Sequence, residues 1–232
     1  MRKNETYNVC VIVEGNEEEC LFNIVKEFGV HESIDLSVLN AMGASNIGPY
    51  YQYQLNDDVY DCVVCVYDVD FKFNEESSAF NKVRNDLYSI LGDYALVDSV
   101  SFCTNPNILQ ILLLGCDDLS FVKLNSASKK ENTKIVNRYW NKIGKQKKNQ
   151  KGQPVCSYYD ASKWQLRIIE DSFKYEEYSY ATLLNNSLKL DMNYKNYTEP
   201  GSNIISLLLA LKNGDIQFFK NINSSIYSND CQ

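Results

Sequence analysis

Residues 58–71 have the sequence DVYDCVVCVYDVDF, the strongest strand signal in the chain. The segment is almost continuously apolar from Val59 to Val69 and then ends in acids. A short, valine-rich run without alternation is typical of a strand buried on both faces. Such strands occur in parallel sheets that are covered by helices. The segment therefore predicts a central strand of an α/β sheet.

Strand-like and helix-like segments alternate on both sides of this strand. Two further strands are predicted before it and one after it, in YNVCVIVEG (7–15), IDLSVLNA (34–41) and YALVDSVSFC (94–103). Helices are predicted between and after them, in NEEECLFNIVKEFG (16–29), the second half of AMGASNIGPYYQYQL (41–55), SAFNKVRNDLYSILG (78–92) and NPNILQILLLG (105–115). Asn16 is the predicted cap of the first helix, and Pro49 fits a first helical turn. Alternation at this spacing predicts an α/β fold, a mostly parallel sheet with helices on both faces.

The second half of the chain has a different character. Residues 126–154 are basic and rich in Asn and Lys, which predicts an exposed helix and a flexible loop. Residues 160–190 and 202–214 have helical patterns. We therefore expect two domains, residues 1–120 with the sheet and residues 121–232 with the basic segment and a mainly helical C-terminal region.

Composition argues against a secreted, a membrane-spanning or a disulfide-dependent protein. The chain has 232 residues, 44% of them hydrophobic and 23% charged, with no apolar signal segment and no run of transmembrane length. Its eight cysteines lie partly in apolar runs, so we expect a cytoplasmic protein whose cysteines are small core residues. Cys62 and Cys65 have zinc-like spacing, but residues three apart on a strand face opposite sides. His31 is the only histidine, which leaves no arguable Ser-His-Asp or Cys-His set.

Charge is distributed unevenly along the chain. The net charge is −7, yet residues 129–151, which we call the basic arm, contain nine basic residues and one acid, giving +8 and leaving −15 elsewhere. Cations bind phosphates and aromatic rings stack on unpaired bases, so the arm is the predicted nucleic-acid contact. Its candidate residues are Lys129, Lys130, Lys134, Arg138, Trp140, Lys142, Lys145, Lys147 and Lys148. The alternative is a solvated loop in which Trp140 packs under a short helix.

Acids follow two of the predicted strands. Glu14, followed by Gly15, ends the first strand, while Asp68 and Asp70 end the central one. Asp68 and Asp70 are two residues apart, so they point the same way in extended backbone. Glu18 lies one helical turn after Glu14. Sites in parallel α/β sheets form at the carboxyl ends of strands, so the four carboxylates converge if the strands are neighbours.

Four close carboxylates repel one another unless some are protonated or a cation is present. All-oxygen ligands suit Mg²⁺ or Mn²⁺, which can orient a phosphate and activate water. The predicted metal ligands are therefore Glu14, Glu18, Asp68 and Asp70, and the predicted catalytic residues are Glu14, Asp68 and Asp70. The alternative is that these acids cap helices or favour the helix dipole, and we expect Glu17 and Glu19 to face solvent.

The segments VIVEGNEEECLF and VYDVDF together resemble the TOPRIM domain, whose signature is a strand-ending Glu-Gly and a later Asp-x-Asp. The additional acid Glu18 is similar to that of OLD-type and RloB-like TOPRIM nucleases. Thr104-Asn105-Pro106 is similar to the Ser-Asn-Pro element of RloB-like proteins, which adds Asn105 to the candidate residues. The resemblance covers about residues 7–115 and implies that residues 1–120 form a TOPRIM-like catalytic domain.

This resemblance implies a Mg²⁺-dependent endonuclease acting on DNA or RNA, in bacterial anti-phage defence. A partner ATPase or another defence protein, and a homo-oligomer, are compatible with it. RloB-like proteins usually have an acid soon after Asn-Pro, where this chain has Leu109 and Gln110. That departure motivates a second hypothesis, a catalytically weak TOPRIM module that binds nucleic acid, nucleotide or a partner protein as a sensor. A third is an interaction protein that acts through its acidic body.

Overall fold

The computed structural model describes residues 6–69, 75–105, 108, 111, 180–189 and 201–227. The chain divides into two compact units, one of Met1–Ile108 with Met192–Gln232 and the other of Leu109–Asp191. The described part of the second unit is Ile111 and one helix, Tyr180–Lys189, which falls within the predicted helical segment 160–190. The residues of the basic arm lie outside the described residues.

The first unit contains the sheet and its helices. Its strands are β1 (Tyr7–Val13), β2 (Ile34–Asn40), β3 (Cys62–Asp68), β4 (Ser101–Asn105) and β5 (Gly201–Ser202). Its helices are α1 (Asn16–Phe28), α2 (Ile47–Asp57), α3 (Ala79–Leu91), α4 (Tyr94–Val100), α6 (Ile204–Asn213) and α7 (Ile216–Tyr227). The label α5 is given to Tyr180–Lys189, the helix described in the second unit. A single 3₁₀ turn, Ala44–Asn46, precedes α2.

The sheet has the strand order β2-β1-β3-β4-β5. Strands β1 to β4 are parallel to their neighbours, and β5 is antiparallel to β4. β1 pairs with both β2 and β3, so Val13 lies beside Asn40 on one side and Val66 on the other. This arrangement confirms the predicted α/β fold with a mostly parallel sheet. It also makes β1 and β3 neighbours.

The core follows from the unbroken apolar runs of the two central strands. Residues 9–13 of β1 and 62–67 of β3 are buried at every position, which requires cover on both sheet faces. α1 contacts β1 and β2, whereas α2 contacts β1 and β3. The cysteines Cys10 of β1, Cys62 and Cys65 of β3 and Cys103 of β4 are buried free thiols. Burial raises the pKa of Cys10 and of Cys62 to about 12, so these thiols behave as small core residues.

One predicted strand is wrong over most of its length. The pattern of residues 94–103 predicts extended backbone, yet α4 occupies 94–100 and β4 begins only at Ser101. The side chain of Asp93 accepts a hydrogen bond from the Ala95 N–H and starts the helix. Leu96, Val97 and Val100 are then buried on one helical face, a spacing that the expected alternation concealed. The helix cap is therefore the signal that decides this segment.

The C-terminal segment returns to the edge of the sheet through side-chain hydrogen bonds. Asn203 accepts a bond from the Cys103 N–H (2.6 Å) and donates one to the Ser101 carbonyl (2.9 Å). Its amide thus continues the pairing along β4. The buried Ser202 and Thr104 hydroxyls are 2.9 Å apart and complete the contact. No helix in the described parts of the chain is long and apolar enough to span a membrane.

Gly214 ends α6 in the left-handed region, with φ at +64°. A Cβ atom there would lie 2.6 Å from the His31 ring and 2.8 Å from the Ser33 hydroxyl. We expect Gly214→Ala to lower the free energy of unfolding by about 2 kcal/mol or more, because backbone strain and a clash add together. Urea unfolding measures this loss.

Gly92 is the matched control for that substitution. It ends α3 with φ at +74°, and a Cβ there would meet nothing within 4 Å. Gly92→Ala should therefore cost only the backbone term, about 1 kcal/mol. Equal losses for the two variants would show that the contact of Gly214 with the 31–33 turn contributes nothing.

Candidate functional site

Two carboxylates lie at the carboxyl ends of neighbouring parallel strands. Glu14 directly follows β1, and Asp68 is the last residue of β3. The Glu14 N–H donates to the Val66 carbonyl at 3.0 Å, which extends the β1–β3 pairing by one residue. In return, the Asp68 N–H donates to Glu14 Oε2 at 3.2 Å. The side chain of Glu14 therefore reaches across to β3.

Glu18 brings a third carboxyl group to this edge from the first turn of α1. Its side chain is only 3% exposed, and its Oε2 accepts the Gly15 N–H at 3.0 Å. Burial is the main cause that raises the pKa of Glu18 to about 8, and the negative charge of Glu14 adds to it. Hydrogen bonds from the backbone act in the opposite direction. Without a bound cation, burial therefore favours the protonated form of Glu18.

Gly15 precedes α1 and occupies the cap position predicted for Asn16. The helix starts at Asn16, so the expectation that Asn16 caps it is wrong, and Gly15 is the N-cap residue. The Asn16 side chain accepts a bond from Asn40 Nδ2 instead. A Cβ atom on Gly15 would make an ordinary contact, 3.6 Å from Glu18 Oε2. The described role of Gly15 is thus its N–H group, which holds the Glu18 carboxyl in place.

Asp68 connects this edge to the chain beyond β4. Its Oδ1 accepts the Ile108 N–H at 2.9 Å, and the neighbouring Val69 is buried with its N–H on the Thr104 carbonyl. Asn105 is the last residue of β4 and pairs with Gly201. The predicted ligand Asp70, together with Leu109 and Gln110, lies outside the described residues. The same is true of all nine candidate residues of the basic arm.

The described carboxylates do not by themselves form a metal site. Within the part of the chain that the structure describes, no group of three or more His, Cys, Asp or Glu side chains could hold a metal ion. The structure brings Glu14 and Glu18 close enough for their charges to interact, and it joins Glu14 to the backbone of Asp68. The donor chemistry, carboxylate oxygen only, suits a hard divalent cation. The predicted set of ligands also includes Asp70, which lies outside the described residues.

Asn40 is a residue at this edge that the sequence pattern did not single out. It ends β2, and its Nδ2 donates to Asn16 Oδ1 (3.1 Å) and to Glu19 Oε2 (2.8 Å). Its Oδ1 accepts the Met42 N–H at 2.8 Å. Glu19 was expected to face solvent, yet it is half-buried and bonded to Asn40. An amide at the end of an apolar strand was the available signal.

Comparison with known proteins identifies no family or related structure for this chain. No protein-family model matches the sequence, and neither the curated proteins nor the solved structures yielded a match. The carboxylates at the ends of β1 and β3 are therefore the observation on which a function can rest.

Proposed function

We propose that this protein is a divalent-cation-dependent nuclease that hydrolyses phosphodiester bonds of DNA or RNA. One observation carries the proposal: the buried carboxyl of Glu18 lies beside Glu14, whose side chain accepts the N–H of Asp68 on the neighbouring strand. Burying one carboxylate beside another is costly unless a cation, hydrogen bonds or a bound proton compensates the charge. A carboxyl group with a shifted pKa at the carboxyl end of a parallel sheet is typical of a functional site.

In this proposal Glu14, Glu18, Asp68 and Asp70 hold Mg²⁺ or Mn²⁺. A bound divalent cation would withdraw charge from the phosphate oxygens and ease deprotonation of water. The residues fit that task in chemistry, since all four offer carboxylate oxygen. Glu14 is fixed by the Asp68 N–H, and Asp68 by the Ile108 N–H, so neither needs to be ordered when substrate arrives.

The reaction is hydrolysis. Water attacks phosphorus, a new P–O bond forms, the bond to the leaving ribose or deoxyribose oxygen breaks, and a proton from solvent completes the leaving hydroxyl. Glu14 is our candidate to accept the proton of the attacking water. Glu18 is the poorer candidate, because burial raises the pKa of its carboxyl to about 8 and so favours the protonated form.

The remaining parts of the proposal come from the sequence. The basic arm would hold the polyanion that the acidic remainder of the chain repels. The TOPRIM-like motifs suggest a role in anti-phage defence, with a partner ATPase, another defence protein or a second copy of the chain. The four buried free cysteines suit a reducing, cytoplasmic compartment.

The purified chain should be incubated with plasmid, single-stranded DNA, total RNA and tRNA, each with Mg²⁺, Mn²⁺ or EDTA. We expect cleavage of at least one substrate with a cation and none with EDTA. Cleavage that is unchanged in EDTA would contradict the proposal. Oligonucleotide binding without cleavage under every condition would replace it with the non-catalytic sensor module.

A further inference from the structure

The chain segment next to the candidate site is unusual in containing no charged residue. Residues 36–56 include no Asp, Glu, Lys or Arg, although 23% of the whole chain is charged and the net charge is −7. The segment covers most of β2, the turn after it and nearly all of α2. The segment itself therefore adds no charge to an acidic protein, although the Glu19 side chain bonds to Asn40 and the Asp86 side chain lies against Gly48.

This segment reaches the site itself. β2 lies beside β1, so its carboxyl end reaches the same sheet edge as Glu14. The Gly43 N–H donates to the Glu14 carbonyl at 2.7 Å, and the Ala41 N–H donates to the Val13 carbonyl at 2.9 Å. The turn at 41–43 is thus fastened to the end of β1. α2 starts from this edge, because it connects two parallel strands and must run back along the sheet.

Three large apolar or aromatic side chains are exposed along this segment. Met42 is 73% exposed, Tyr50 is 41% exposed and Tyr53 is 63% exposed. Tyr50 lies in the first turn of α2 and Tyr53 one turn later, so they share a helix face. Side chains on a helix lean toward its N-terminus, here toward the sheet edge that carries Glu14. We call Met42, Tyr50 and Tyr53 the aromatic platform.

Met42 is held in a conformation that methionine rarely adopts. Its φ is +58°, in the left-handed region, which costs a residue with a side chain about 1–2 kcal/mol. The Asn40 side chain fixes it by accepting the Met42 N–H, and Asn40 is itself bonded to α1. A hydrogen-bonded turn therefore presents a largely solvated apolar side chain, one residue before the Gly43 N–H that bonds the Glu14 carbonyl. Burial in the fold does not account for this arrangement.

We propose that the aromatic platform binds unpaired nucleotides next to the scissile phosphate, so that the substrate is single-stranded or locally unpaired. This inference rests on the proposed nuclease function and specifies its substrate class. Tyrosine rings can stack on bases of any sequence, and Met42 offers a further apolar contact. In a duplex the bases are already stacked on one another, and only the backbone and groove edges are accessible.

Charge favours the same occupant. Outside the basic arm the chain carries −15, so a polyanion is repelled by most of the protein surface. The segment 36–56 adds no charge of its own to this repulsion, and base stacking there needs no cation. Asp57 and Asp58 follow at the far end of α2, which limits the platform to its first two turns.

The test measures binding in EDTA, so that cleavage does not interfere. Fluorescein-labelled single strands of DNA and RNA, and duplexes of the same sequence, are titrated with the full chain and followed by anisotropy. We expect Tyr50→Ala with Tyr53→Ala to weaken single-strand binding about tenfold or more, without changing the salt dependence of the affinity. Met42→Gly, which removes the side chain and relieves the backbone, should weaken it less.

Tyr88→Ala is the matched control. Tyr88 is 41% exposed, as Tyr50 is, but lies near the end of α3, away from the sheet edge that carries Glu14. Its loss should leave oligonucleotide affinity unchanged, and thermal melting checks that each variant folds. Unchanged affinity in the Tyr50/Tyr53 variant, an equal loss in the control, or tighter binding of duplex would overturn the proposal. A surface that binds a protein instead would give the first of these results.

Cleavage assays separate this inference from the proposed function. If cleavage depends on the carboxylates but KM for a single-stranded substrate is the same in the Tyr50/Tyr53 variant, the platform is wrong and the nuclease stands. If single-strand binding requires the tyrosines but no cleavage occurs with any cation, the platform stands and the nuclease is wrong.

Discussion

Asp68→Asn combined with Asp70→Asn should reduce cation-dependent cleavage by about 1000-fold or more, because metal-assisted charge stabilisation supplies several kcal/mol to such reactions. The double substitution removes two carboxylate charges and keeps oxygen acceptors of the same size. In Asp68→Asn the side-chain amide oxygen can still accept the Ile108 N–H, which Asp68 Oδ1 accepts at 2.9 Å in the wild-type protein. The fold should therefore persist while the affinity for the cation falls. Initial rates at a fixed Mg²⁺ or Mn²⁺ concentration that saturates the wild-type protein measure the loss.

Asp57→Asn with Asp58→Asn is the matched control for this double variant. Both acids are exposed at the end of α2, so their loss changes the net charge equally and lies away from the sheet edge that carries Asp68. This control should cleave at the wild-type rate. If the Asp68/Asp70 variant melts normally and still cleaves within about threefold of the wild-type rate, neither residue takes part in the reaction. A tenfold change in rate corresponds to about 1.36 kcal/mol, so a threefold change is far less than the several kcal/mol expected.

Much of the fold follows from sequence because its central strands are buried on both faces. The apolar runs of β1 and β3 identify both strands, and Gly92 and Gly214 mark the ends of α3 and α6. The acids at the ends of β1 and β3 could likewise be predicted to share an edge, because neighbouring parallel strands end together. Strand order itself is a tertiary property, and the sequence pattern alone does not contain it.

Other features depend on contacts that no local pattern contains. Asn203 lies about a hundred residues from the strand whose edge it completes, and its partners there are backbone groups of Ser101 and Cys103. Asn40 joins β2, α1 and the Met42 turn through one amide, which is visible only when all three are assembled. Residues 94–100 form a helix with Asp93 as its cap, despite their apparent alternation. Each difference comes from a polar side chain rather than from the hydrophobic pattern.

Glu18→Gln should remove a pH dependence of stability that the wild-type protein shows in EDTA. The pKa of Glu18 is about 8 in the folded protein and near the ordinary value of 4.5 in the unfolded chain. The folded state therefore binds the extra proton between these values, and its stability falls as pH rises from 4.5 to 8. The slope is at most about 1.4 kcal/mol per pH unit. Glutamine resembles the protonated carboxyl, so the variant should lack this slope and be the more stable protein at pH 7.

Urea unfolding at pH 5, 6 and 7 measures the difference between the two proteins. Glu27→Gln, which changes an exposed acid on the same helix, should follow the wild-type pH dependence. Parallel curves for wild type and Glu18→Gln would show that Glu18 ionises as it does in the unfolded chain. Adding Mg²⁺ distinguishes a purely structural carboxyl from a ligand. A cation that binds Glu18 stabilises only the folded, ionised protein, so it should flatten the wild-type slope and leave Glu18→Gln less affected.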